Sequence, residues 1–170
     1  MSVITGIFFA VLLAAALFDL VKYMIPNTVS GVLAALFVAA ALMGPEPIDW
    51  LSHLGAGAGV FAGGVLLYRF RIMGGGDVKF LGAMGLWMGF GVVLNYLMFV
   101  AILGGALALL LLGLRFLIPR ALRLIAPGSP ANLPELLRHG SHIPYGVAIA
   151  GGGVLAYPFL VGTLLGFGPA

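Results

Sequence analysis

The 170 residues contain no cysteine. That absence removes disulfide frameworks, thiolate metal sites and cysteine nucleophiles, so any catalysis must use other groups. Charge is almost as scarce. Five acidic and eight basic residues make up 8% of the chain, where soluble domains carry about a quarter. With 62% hydrophobic residues and a mean hydropathy of +1.20, the composition excludes an ordinary soluble domain and describes a membrane chain in contact with lipid. The net charge of +3 reports topology rather than a nucleic-acid partner, because cytoplasmic loops are enriched in Lys and Arg.

The few charges mark out the apolar stretches. A first helix is expected over residues 2–24; no basic residue precedes it, which favours a retained span over a cleaved signal peptide. Pro26 breaks the chain, and Asn27 or Thr28 can cap a second helix over 28–43. A third runs over 51–68. From Phe80 to Leu114 no charge appears, and as one helix at ~1.5 Å per residue this stretch would measure about 50 Å, too long for one crossing. It is expected to fold back at residues 89–91, giving helices over 78–89 and 91–117. A loop over 118–142 and a last helix over 143–166 complete a single membrane-embedded unit, 1–170. The expected fold is therefore an all-α polytopic membrane protein with six transmembrane helices and both termini outside. In that arrangement Lys22, Arg69, Arg71, Lys79, Arg115, Arg120, Arg123 and Arg138 all fall on the cytoplasmic side, and the outer loop holds only Glu46 and Asp49.

Acidic residues inside a membrane are costly and are functional candidates by default. Glu46, Asp49 and Glu135 fit solvated loops, which leaves Asp19 and Asp77. Asp19 closes an odd-numbered span and Asp77 opens an even-numbered one, so both lie at the same membrane face in either orientation. Two carboxylates at close range do not readily both ionise. One can then activate water while the other, still protonated, hydrogen-bonds a scissile carbonyl. Gly74, Gly75 and Gly76 precede Asp77 and would let a peptide backbone approach, with positive φ available. The stretch lacks the GK[ST] of a phosphate loop and the third glycine of a dinucleotide fingerprint. The plain alternative is that Asp77 only caps its helix.

The GGGDVK stretch resembles the GxGD signature of intramembrane aspartyl proteases. With FDLVKYMIPN after the first span and IPYGVAIAGG at the last, the chain is similar to type IV prepilin peptidases, most of all the short members that serve tight-adherence (Flp) pili. The resemblance implies Asp19 and Asp77 as the catalytic pair, Gly74 and Gly76 as signature glycines with Gly75 between them, and Lys79 as the following basic residue. It implies cleavage of prepilins and pseudopilins at the cytoplasmic face of the bacterial inner membrane. Longer relatives carry a cytoplasmic domain, often with zinc-binding cysteines, associated with N-methylation. Here only residues near Met24 to Asn27 join helices 1 and 2, so methylation is not expected, and neither a cofactor nor a metal is.

Other features have plainer readings. Pro26 and Asn27 form a tight turn that aims Asp19. Lys22 and Lys79 anchor at the headgroups, with Lys79 also a candidate for tuning a carboxylate. Gly55, Gly59 and Gly63 serve close helix packing. Leu117 to Ala126 reads as an interfacial amphipathic segment against lipid, and Trp50 and Tyr157 as an outer aromatic belt. His139 and His142 lack a third metal ligand. The expected partners are a prepilin and membrane lipid, and a homo-oligomer is compatible. The competing function is a small proton-coupled transporter or channel using the paired Asp residues.

Overall fold

The computed structural model describes residues 2–44, 47–125, 136 and 143–164. Five helical elements occur: α1 (Ser2–Lys22), α2 (Asn27–Met43), α3 (Trp50–Arg69), α4 (Gly75–Ile125) and α5 (Tyr145–Leu164). No strand appears among the described residues. Among the described residues, three helical stretches are long and apolar enough to cross a membrane: Val3–Lys22, Trp50–Arg69 and Gly75–Leu122. Asn27–Met43 and Tyr145–Val161 are shorter apolar helices. The chain is a multi-pass membrane protein.

α4 is the hub. α2, α3 and α5 pack on it, and α5 also packs on α1. α1 reaches α4 only through side chains, such as Phe8 against Trp87 with ring centroids 4.6 Å apart; no Cα pair between the two helices lies within 8 Å. That spacing leaves room for a cavity where their polar ends face each other.

The expected fold-back is a break inside one element. Gly89 has φ 57° and ψ 177°, a backbone that side-chain-bearing residues rarely adopt. Residues 75–88 run along α3, with Gly57 and Gly85 in near backbone contact: a Cβ on Gly85 would lie 3.0 Å from the Gly57 Cα. Past Gly89 the chain doubles back, so that Phe90, Leu94 and Leu97 share an apolar groove with Gly55, Gly59 and Gly63 of α3. The backbone groups freed by the break need partners, because lipid offers none. α3 supplies them: Ser52 Oγ accepts from the Phe90 amide at 2.9 Å, and His53 Nδ1 lies 2.7 Å from the Leu86 carbonyl.

Three expectations are corrected here. Of the expected packing glycines, Gly55 lies tight against the Phe90 ring, but Gly59 and Gly63 do not mediate close packing; a Cβ on either would meet open space, and the other tight approaches fall on Gly57 and Gly64. The second arm of α4 does not stop at 117 but runs through Pro119 to Ile125, so the loop expected from 118 starts later. Proline removes one intrahelical hydrogen bond, but the flanking Leu, Arg and Ala are strong helix formers. The Arg120 guanidinium also sits 3.4 Å from the Phe116 ring centroid, one turn back across the proline. Finally, neither Asn27 nor Thr28 caps α2. Pro26 occupies the N-cap position in extended conformation, with no side-chain cap bond. Glu46, Glu135, Arg138, His139 and His142 lie outside the described residues.

Candidate active site

A cavity of about 690 Å³ opens where α1 ends and α4 begins. Asp19, Asp77, Gly74, Tyr23, Tyr68, Arg69, Arg71 and Tyr145 are among its lining residues. The structure thus brings both sequence-predicted carboxylates to the lining of one space.

The two are held differently. Asp19 is 3% exposed, on the last full turn of α1. Its Oδ2 accepts the Gly146 amide at 2.5 Å. That amide belongs to the first turn of α5, whose N–H groups have no partner within their own helix. Asp77 is partly exposed, and its Oδ2 accepts the Gly74 amide at 3.3 Å. This is the returning half of a capping box, with Gly74 at the N-cap and Asp77 three residues on. Capping and facing the cavity are therefore compatible for Asp77, not alternatives.

The glycines divide. None of Gly74, Gly75 and Gly76 has positive φ, contrary to expectation, because α4 begins at Gly75 with helical geometry. Gly76 is required for another reason: a Cβ there would lie 2.6 Å from the Ile25 carbonyl oxygen, so the α1–α2 turn rests directly on the start of α4. A Cβ on Gly75 would make only ordinary contact with Tyr68. Lys79 does not approach either carboxylate; its Nζ donates to Asn27 Oδ1 at 2.9 Å, tying that turn to α4 a second time.

Positive φ occurs instead at two residues that are not glycine, Tyr23 (51°) and Arg71 (58°), and both line the cavity. Each ends a helix. The Tyr23 amide bonds the Asp19 carbonyl at 2.9 Å, an αL stop to α1. Arg71 terminates α3 in a Schellman arrangement, with Arg71 N to Tyr68 O at 2.9 Å and Ile72 N to Leu67 O at 3.0 Å. Glycine is the usual residue at such positions; a side chain there costs about 1–2 kcal/mol.

Sequence reasoning missed Gly146, Tyr23, Tyr68, Arg69, Arg71 and Tyr145 as members of this space. The IPYG run at α5 was visible, but the contact it makes is through backbone amides. No cluster of three or more potential metal ligands occurs among the described residues.

A helical membrane protein with two carboxylates lining one cavity belongs to the class of membrane proteins equipped for acid–base chemistry at a peptide or a proton. A sequence profile of the type IV leader peptidase family matches residues 6–109, a stretch that contains both Asp19 and Asp77, and the chain belongs to that family of aspartic-type peptidases. Neither a curated protein nor a solved structure gives a significant match.

Proposed function

We propose that the chain removes the leader peptide of type IV prepilins and pseudopilins of the Flp kind, using Asp19 and Asp77 as its catalytic pair. The observation that carries this reading is that the two carboxylates line one cavity of about 690 Å³. Family membership supports hydrolysis over transport.

One carboxylate takes a proton from water, whose oxygen attacks the scissile carbonyl carbon; the other donates its proton to the carbonyl oxygen as the C=O π bond opens. The resulting diol then collapses. The first Asp returns its proton to the amide nitrogen, the C–N bond breaks, and the second Asp recovers its proton.

The reaction belongs at the cytoplasmic face of the bacterial inner membrane, with six crossings once the break at Gly89 separates two spans. The basic residues support this placement: Lys22 closes α1, Arg69 closes α3 and Lys79 lies in the first turns of α4, all at the cavity end. The α1–α2 turn spans only the residues between Lys22 and Asn27, where longer relatives carry the domain associated with methylation, so the reading is leader cleavage without methylation.

Co-expression with a candidate Flp prepilin, read as a mobility shift, tests the proposal. Wild type cleaves, whereas Asp19→Asn and Asp77→Asn leave the precursor intact. Cleavage surviving either change removes the assignment.

A further inference from the structure

We propose that Asp19 is the ionised member of the pair and Asp77 carries the proton, with Gly146 as a positioning residue that enforces this asymmetry. The inference rests on the reading of the two as the hydrolytic pair, and goes beyond it by giving each a separate role.

Hydrogen-bond supply separates them. Amide N–H groups are donors only, and donors aimed at a carboxylate favour its charged form. Asp19 receives one short bond from the Gly146 amide; its burial by itself favours the neutral acid, and this bond is what opposes that and holds the charge. Asp77 receives a single long bond, in the more open part of the cavity. Helix dipoles do not discriminate, since Asp19 faces the N-terminus of α5 and Asp77 lies in the first turn of α4.

The remaining titratable and charged groups do not reverse this order. Tyr23 follows α1, Tyr68 and Arg69 end α3, Arg71 follows it, and Tyr145 opens α5; all line the cavity, and neither arginine forms an ion pair with either carboxylate among the described residues. Lys79 is engaged with Asn27, and Lys22 lies over the Phe18 ring at 5.2 Å.

Gly146 fixes the geometry. A Cβ there would stand 2.8 Å from Asp19 Oδ2, 3.0 Å from Asp19 Cβ and 2.6 Å from Ile25 Cδ1. Only a residue without a side chain lets the amide meet the carboxylate. In the hydrolytic step, Asp19 therefore accepts the proton of the attacking water and later passes it to the leaving amine. Asp77 donates its proton to the carbonyl oxygen and regains it when the diol collapses.

Two measurements on the full-length protein in detergent test this. An aryl glycidyl ether alkylates carboxylates but not carboxylic acids, because only the ionised oxygen attacks the epoxide carbon. Peptide mass mapping should find the ester on Asp19. Esterification of Asp77 with Asp19 untouched overturns the assignment even if Asp19→Asn and Asp77→Asn are both inactive, so it is separable from failure of the catalytic reading.

The second measurement is the pH profile of Gly146→Ala. Loss of the donor makes Asp19 harder to ionise, so the acid limb moves to higher pH and kcat falls about tenfold or more, with KM within about twofold of wild type. Replacing residue 146 by glycolic acid through semisynthesis exchanges the N–H for an ester oxygen and adds no bulk against Asp19, so it serves if the alanine variant misfolds. It should shift the same limb in the same direction. An acid limb left in place by a folded variant overturns the proposal.

Discussion

The two ends of the helical bundle solve the same problem in opposite ways. Each must turn the chain through a left-handed backbone. At the end away from the carboxylates the residue is Gly89, which adopts φ 57° without cost, and Ser52 and His53 satisfy the broken helix. Around it Phe8, Phe37 and Trp87 pack ring against ring, and Trp87 Nε1 donates to the Leu33 carbonyl at 2.9 Å. At the carboxylate end the left-handed residues are Tyr23 and Arg71, which strain the backbone, and the space between the helices is a cavity rather than a packed core. One end is optimised for holding together; the other retains side chains and openness at a cost in stability, as expected of a functional site.

The largest effects should separate these ends completely. Asp19→Asn or Asp77→Asn is expected to lower cleavage by about a thousandfold or more while leaving the thermal midpoint in detergent close to wild type, because each removes a proton-transfer group and keeps its shape. A large loss of stability in either variant would mean that the carboxylates hold the fold together and would dissolve the contrast between the ends.

Gly76→Ala comes next. Its Cβ would meet the Ile25 carbonyl oxygen at 2.6 Å, a backbone atom that cannot rotate away. The α1–α2 turn must lift from α4 and carry Asp19 relative to Asp77. A misplacement of about 1 Å costs about a hundredfold in rate. The expected stability loss is about 1–3 kcal/mol, so prepilin cleavage should suffer far more than the melting curve. Gly75→Ala, with only ordinary contact to Tyr68, is the matched control.

At the packed end the ratio should invert. Trp87 is 4% exposed between Phe8 and Phe37. Trp87→Ala should destabilise by about 2 kcal/mol, less than in an aqueous core because lipid is as apolar as the protein interior and what is lost is packing and the bond to the Leu33 carbonyl. Activity per folded molecule should stay within about twofold, measured by prepilin cleavage normalised to the folded fraction. A selective loss of cleavage would show that the two ends are mechanically coupled.

The sequence could reveal what depends on side-chain identity and order along the chain. Asp19 and Asp77 were readable as neighbours because alternate spans run in opposite directions, and the break near residue 89 because a charge-free run of that length cannot remain one crossing. What stayed hidden depends on backbone groups and on distances between elements. Gly146 reaches Asp19 through a backbone amide, and although only glycine fits against Asp19 and Ile25, it is one of 27 glycines and its letter alone does not single it out. Gly55, Gly59 and Gly63 have the spacing of a packing stripe, but which face of α3 meets α4 depends on rotation about its axis, and the contacts fall on Gly55, Gly57 and Gly64. Pro119 signals a helix end locally; the strong helix formers around it and the Arg120–Phe116 contact outweigh one lost hydrogen bond.

The smallest expected effect bears most directly on why the ends differ. Tyr23 and Arg71 sit at C′ positions where glycine is favoured, so Tyr23→Gly and Arg71→Gly should each relieve left-handed strain and raise stability by about 1 kcal/mol. The gain is partly offset by the greater freedom of glycine in the unfolded chain. If the strain is kept only for want of selection against it, cleavage should be unaffected. If the Tyr ring and the Arg guanidinium are kept because they line the substrate cavity, the same variants should melt higher and cleave more slowly, with KM rising for a prepilin substrate. Parallel melting curves and cleavage kinetics on the two variants decide between these outcomes. A more stable, less active enzyme would locate the source of the strain in the cavity itself, since both helix ends would fold better without the side chains they now present to it.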